Sequence, residues 1–105
     1  MRFRVHPEAK REAEEAILWY NERSPGVGAQ FQQCIDGLLD AFVFDEILPS
    51  VSLPGSGCLP ARGVRRLVFD GFPYDLVFAQ REGEYVVLAF AHHKRRPGYW
   101  RHRMK

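Results

Sequence analysis

The sequence predicts an α+β domain in the order β-α-α-β-β-β, with a helical hairpin packed on one face of a small, mainly antiparallel sheet. Three observations carry this. Two stretches of helical apolar periodicity lie in the first half, separated only by a short break at Ser24-Pro25. Three strand-like runs joined by short links fill residues 64–91. The 105 residues, 46% of them hydrophobic, suffice for one core and a single domain.

Each element has its own signal. Arg2-Phe3-Arg4-Val5-His6 alternates polar and apolar residues, as a strand with one buried face does. Pro7 suits a first helical position, His6 is a helix-start residue, and Glu8 favours the positive end of the helix dipole. Ala9, Ala13, Ala16, Ile17 and Tyr20 then share one helical face over about residues 7–23. Glu12, Glu14, Glu15 and Glu22 are expected on a solvated acidic side. Ser24 as N-cap and Pro25 at the first helical position predict a second helix over 25–44. Its stripe is Phe31, Cys34, Ile35, Leu38, Leu39 and Phe42. Burying those six side chains is worth on the order of 10 kcal/mol, most of it offset by conformational entropy.

Residues 45–63, rich in proline and glycine, read as a loop with one extended piece around Ile47–Leu53. Val64–Phe69, Tyr74–Ala79 and Glu84–Ala91 follow as an antiparallel meander, with turn signals at Asp70-Gly71 and Arg81-Glu82-Gly83. The last run is nearly all apolar, so it belongs in the middle of the sheet, covered on both faces. The first strand joins an edge or pairs within the sheet.

Charge is unevenly distributed. The chain has 15 basic and 13 acidic residues, and residues 92–105 hold six of the basic ones and no acid. Residues 1–91 therefore carry about −4 and this C-terminal tail about +6. Such a block attracts an acidic partner or a phosphate backbone. Tyr99 and Trp100 within it either stack on a base or anchor the tail to its own domain. The first residues carry no apolar stretch after their charges, and no run approaches the ~20 apolar residues of a membrane span. Two cysteines, Cys34 on the helical stripe and Cys58 in the loop, give neither a disulfide framework nor a metal motif. The reading is a cytoplasmic chain with no membrane association, metal or cofactor.

Four local patterns bear on function. They are Val5-His6-Pro7-Glu8-Ala9; Trp19-Tyr20 followed by Ser24-Pro25-Gly26-Val27-Gly28 and Phe31; Arg65 or Arg66 leading to Phe72-Pro73-Tyr74 and Phe78; and His92-His93-Lys94-Arg95-Arg96-Pro97-Gly98-Tyr99-Trp100-Arg101-His102-Arg103. In this order and spacing, across essentially the whole chain, the sequence resembles the RelE/ParE superfamily of toxins from bacterial type II toxin–antitoxin modules, often described as plasmid-stabilisation proteins. The Phe-Pro-Tyr and Pro-Gly-Tyr-Trp segments look more like the ParE-type branch. The resemblance implies a growth-inhibiting toxin held inactive by a cognate antitoxin protein in a toxin–antitoxin hetero-oligomer, with DNA gyrase as the cellular target.

The alternative within the resemblance is a RelE-like, ribosome-dependent mRNA endonuclease. Attack by a 2′-OH needs a base, cations on the phosphate and an acid for the leaving oxygen. His92, Arg65, Arg66 and Tyr99 are the candidates for those roles, with Arg95 as a further cation. Two features count against it. Neighbouring strand residues point to opposite faces, so Arg65 and Arg66 do not act together, nor do His92 and His93. Asp75 also follows Tyr74, where RelE-type chains usually carry an arginine, and a carboxylate there repels phosphate. The favoured reading is therefore a non-catalytic binder whose target-contact residues are Arg95, Arg96, Tyr99, Trp100 and Arg103, the two tail guanidinium groups Arg95 and Arg96 foremost. Of Arg65 and Arg66, one is expected to be solvated and the other paired to Asp70 or Asp75. Tyr99 and Trp100 are expected to fold back on the core, and His93 and His102 to lie at the surface.

Overall fold

The computed structural model describes residues 2–43, 51–52, 64–81 and 83–104. Its elements are β1 (Arg2–Val5), α1 (Pro7–Arg23), α2 (Val27–Val43), β2 (Val51–Ser52), β3 (Val64–Val68), β4 (Tyr74–Arg81), β5 (Glu84–His92) and a 3₁₀ turn (Arg101–Met104). The sheet order is β1-β5-β4-β3-β2. Strands β2 to β5 pair antiparallel, while β1 lies parallel to β5 at the edge, with Arg2 opposite Glu84 and Val5 opposite Val87. The architecture is thus α+β, two helices on a small mixed sheet, with β5 between neighbours. Most of the expected 45–63 loop, Cys58 included, lies outside the described residues; Val51–Ser52 falls within the extended piece expected there.

Helix α1 starts and stops where its punctuation says. The His6 imidazole Nδ1 accepts from the Glu8 N–H at 3.1 Å, and Pro7 takes the first turn. Ser24 does not cap the second helix, as the sequence suggested. It ends the first, donating its N–H to Tyr20 O at 2.9 Å. Its own carbonyl accepts from Val27 N–H at 3.1 Å across Pro25 and Gly26, whose φ is +91°. Proline followed by a glycine at positive φ makes a tight turn, so α2 begins two residues later than expected. The hairpin closes tightly at Gly28, which packs against Asn21 and donates its N–H to Asn21 Oδ1 at 2.9 Å.

The helix-facing core joins Ala9, Ala13 and Ala16 with Phe31, Ile35 and Phe42 and with Leu67, Phe69, Leu76, Phe78, Tyr85, Val87 and Phe90 of the sheet side. Small alanines let α1 lie close to the sheet while the rings of α2 fill the rest. Phe31 stacks on Phe69 at 4.9 Å, and Phe42 stacks on Tyr85 at 4.9 Å.

The opposite face of the sheet is covered by the basic tail. Trp100, 3% exposed, packs against Val64, Val77, Ala79, Val86, Leu88 and Ala89. The run in β5 is therefore buried on both sides, as its composition implied. The ladder contains a bulge. Val77 pairs with Ala89 and Phe78 with Val87, which leaves Leu88 as the extra residue. Leu88 and Ala89 both face the tail, so the alternation resets. As a result Phe90 and His92 are delivered to the helix side.

Candidate functional site

Of the carboxylates that hold the tail to the body, Glu12 takes the most tail donors. Glu12 was expected among solvated acids, but its side chain is 13% exposed and saturated with donors. It accepts from the Tyr99 hydroxyl at 2.6 Å, from Arg103 Nη1 and Nη2 at 2.9 and 3.1 Å, and from the Phe90 backbone N–H at 3.1 Å. Arg103 also donates to the Leu88 carbonyl at 3.0 Å. The pair thereby satisfies backbone groups beside the bulge, beyond Val5–Val87, where the β1 pairing ends. Burial and the Glu12 hydrogen bond push the Tyr99 phenol well above its ordinary range. A second, exposed contact joins His102 Nε2 to Glu8 Oε2 at 3.1 Å, and that bond holds the Glu8 carboxyl below its usual value.

This clamp fixes the turn between β5 and the 3₁₀ segment. Arg95 N–H donates to His92 O at 2.9 Å, Gly98 adopts a φ of +79°, and Tyr99 N–H donates to Arg96 O at 3.2 Å. The Arg95 guanidinium lies 3.9 Å from the centre of the Tyr99 ring. Arg95 and Arg96 are both exposed. They form a basic ridge on a tail that is itself anchored.

On the outer side of this ridge is an open groove of about 430 Å³. Its polar floor is Asp75, 7% exposed, whose carboxylate bridges Arg66 Nη1 at 3.2 Å and His93 Nε2 at 3.0 Å. Arg66 is therefore the arginine paired to a carboxylate, and Asp75 is its partner. Arg65 points to the helix side, its guanidinium 5.2 Å from the Phe78 ring centre. His93 is exposed at the surface yet tied to Asp75.

His92 lines both this groove and the one on the helix side. Its Nδ1 accepts the Lys94 N–H at 3.0 Å, which places the neutral ring's proton on Nε2. Burial first, then the charges of Lys94 and His93, hold its pKa below the usual histidine value. Its ring meets Tyr74 edge-on at 5.0 Å.

Of the residues proposed for RNA cleavage, His92, Arg66 and Tyr99 border the outer groove, but Arg65 does not join them. Arg65 pairs with Phe78 and His92 with Tyr74, so they lie on opposite sides of β4 and about 13 Å apart along it. Of the residues proposed for target contact, Arg95 and Arg96 are exposed, Tyr99 is half-buried, and Trp100 and Arg103 are spent on the fold. Glu12 was the residue the sequence reading missed. Its signal was the spacing Ala9, Glu12, Ala16, which puts it on the alanine face. Among the described residues no three His, Cys, Asp or Glu side chains are placed to hold a metal, and no helix is long and apolar enough to cross a membrane. No protein-family model and no curated protein sequence matches the chain.

Proposed function

We infer that this chain is a growth-inhibiting toxin of the RelE/ParE type, neutralised by a cognate antitoxin protein, and that it acts by binding DNA gyrase rather than by cutting RNA. The observation that carries the reading is the state of the tail. Arg95 and Arg96 stand exposed on a turn clamped to the body, while two of the groups that cleavage would need, Tyr99 and Arg66, are engaged. Tyr99 keeps its proton and donates its hydroxyl hydrogen bond to Glu12, and Arg66 faces Asp75 instead of an open anion site. A pair of exposed guanidinium forks on a fixed turn suits carboxylates on a protein target or phosphates beside it. An acidic, disordered antitoxin segment has the complementary charge to cover the same ridge.

One observation favours the second reading, an mRNA endonuclease: a neutral His92 and the Arg95 guanidinium border the same grooves. Purified protein separates the two. Gyrase binding predicts loss of supercoiling or trapped cleaved DNA at doses that leave a translation extract running on intact message. Unaltered gyrase, with message cut in the extract, overturns the reading in favour of the nuclease.

A further inference from the structure

A second groove, of about 470 Å³, lies on the helix side between α1, the start of β4 and the end of β5. It is separate from the outer groove and meets it only at His92 and Arg95. Four rings follow one another along it through edge contacts. Trp19 meets Tyr20 at 5.1 Å and 87°, Tyr20 meets Tyr74 at 6.4 Å and 62°, and Tyr74 meets His92 at 5.0 Å and 82°. Trp19 lines the groove and is 49% exposed, with the Arg23 guanidinium over one face of its ring at 3.7 Å. An indole left this open on an anchored helix is a platform for a planar ring.

Several polar groups here are donors with no hydrogen-bond acceptor among the described residues. The Tyr20 and Tyr74 hydroxyls make no hydrogen bond to other described residues, nor does the Arg95 guanidinium. Burial raises both phenols, which keeps them protonated. His92 has spent Nδ1 on Lys94 and keeps Nε2–H to give. Two carboxylates line the groove as well. Glu12 is fully occupied by Tyr99, Arg103 and Phe90, so its charge is compensated. Glu15 is exposed on α1, an acceptor at the rim for ligand N–H or O–H groups.

We propose that this groove is a binding site for a small phosphomonoester carried on a planar ring, as in a nucleoside monophosphate. The ring lies on Trp19. The phosphate oxygens accept from Arg95, His92 Nε2–H and the Tyr74 hydroxyl. Glu15 accepts from the sugar or from an exocyclic amine. Neither half of the ligand alone uses the whole groove. The site shares His92 and Arg95 with the outer groove, but its ligand binding is read without any toxin activity, so it stands whether or not the chain is a toxin.

The test is calorimetric titration of the full chain with adenosine monophosphate, adenosine, ribose 5-phosphate and inorganic phosphate, with the Trp19, Trp100 and His92 resonances followed by NMR. The monophosphate is expected to bind at least tenfold more tightly than each fragment and to move Trp19 and His92 but not buried Trp100. Trp19→Ala is expected to weaken it about tenfold through lost stacking. Tyr74→Phe, which keeps the ring and its packing, is expected to weaken it about fivefold through one lost hydrogen bond. No binding at millimolar concentration overturns the proposal. So does equal binding of phosphate alone, or a folded Trp19→Ala chain with unchanged affinity.

Discussion

Replacing Glu12 by alanine tests the clamp. The substitution is neutral for helix propensity and sits in the interior of α1, so its cost comes from the partners it strands. Arg103, with a side chain 5% exposed, loses two charge-assisted bonds and keeps the Leu88 carbonyl, Glu8 at 3.8 Å and the Tyr99 ring at 5.1 Å. Breaking such a buried pair from one side costs about 3–5 kcal/mol. The Phe90 N–H is orphaned at the same time, which costs about 1–3 kcal/mol where water cannot reach it. Water entering beside the tail offsets part of the sum, so the expected loss is about 4 kcal/mol, a large share of a domain's ~5–15 kcal/mol. Urea unfolding followed by far-UV circular dichroism measures it, with the slope against denaturant unchanged. Glu12→Gln keeps an acceptor for Phe90 and loses the charge, so it should lose about half as much. The double variant Glu12→Leu/Arg103→Met removes both charges and should cost less than Glu12→Ala alone. A loss below about 1 kcal/mol for Glu12→Ala, or strict additivity in the double variant, refutes the clamp as the tail's anchor.

Trp100→Ala empties the centre of the tail-side core and should cost about 3–5 kcal/mol, with loss of the near-UV signal of a fixed indole. Asp75→Ala strands Arg66 and His93, costing about 1.5–3 kcal/mol. It also turns the outer groove more positive, so the variant should elute from heparin at higher salt than the parent; earlier elution contradicts the assignment of Asp75 as the groove's counter-charge. His92 should titrate below the usual histidine value in a ¹H–¹³C NMR series, and Lys94→Ala should move it only part of the way back, since burial is the larger cause. Because its folded pKa is depressed, acid protonates His92 in the unfolded chain first. Stability is full above the unfolded value and is lost as pH falls toward the folded one.

What was legible in the sequence was whatever strong punctuation or clean periodicity marks. Pro7 and Ser24-Pro25 bound α1 at the residues observed, and the six-residue stripe of α2 joins the helix-side core throughout. The alternation of Arg65 and Arg66 correctly separates them to two faces, with Asp75 as one partner. The start of α2 was misplaced because Ser-Pro serves equally as a helix cap and as the first half of a turn, and Gly26 decides between them. The bulge at Leu88 was not legible, since Val86–Phe90 is apolar throughout and gives no alternation to break. Glu12 was misread because its charge outweighed its place on the alanine face. A buried carboxylate can only be foreseen together with its cation, and Arg103 is 91 residues away. Composition singled out the tail's basic residues, but it does not tell which basic groups the fold consumes. The structure consumes Arg103 and leaves Arg95 and Arg96 outside.

The proposed inhibitor rests on two exposed arginines, Arg95 and Arg96. Inducible expression in bacteria, comparing the intact chain with Arg95→Ala/Arg96→Ala, tests it most directly. Both forms are first shown to be folded and close in stability, as expected for two exposed residues of which only Arg95 gives up a contact, its stacking on Tyr99. Growth arrest by the intact chain, relieved in the double variant, is the predicted result. A folded, well-expressed chain that leaves growth unchanged, or an arrest that persists without the two arginines, contradicts it.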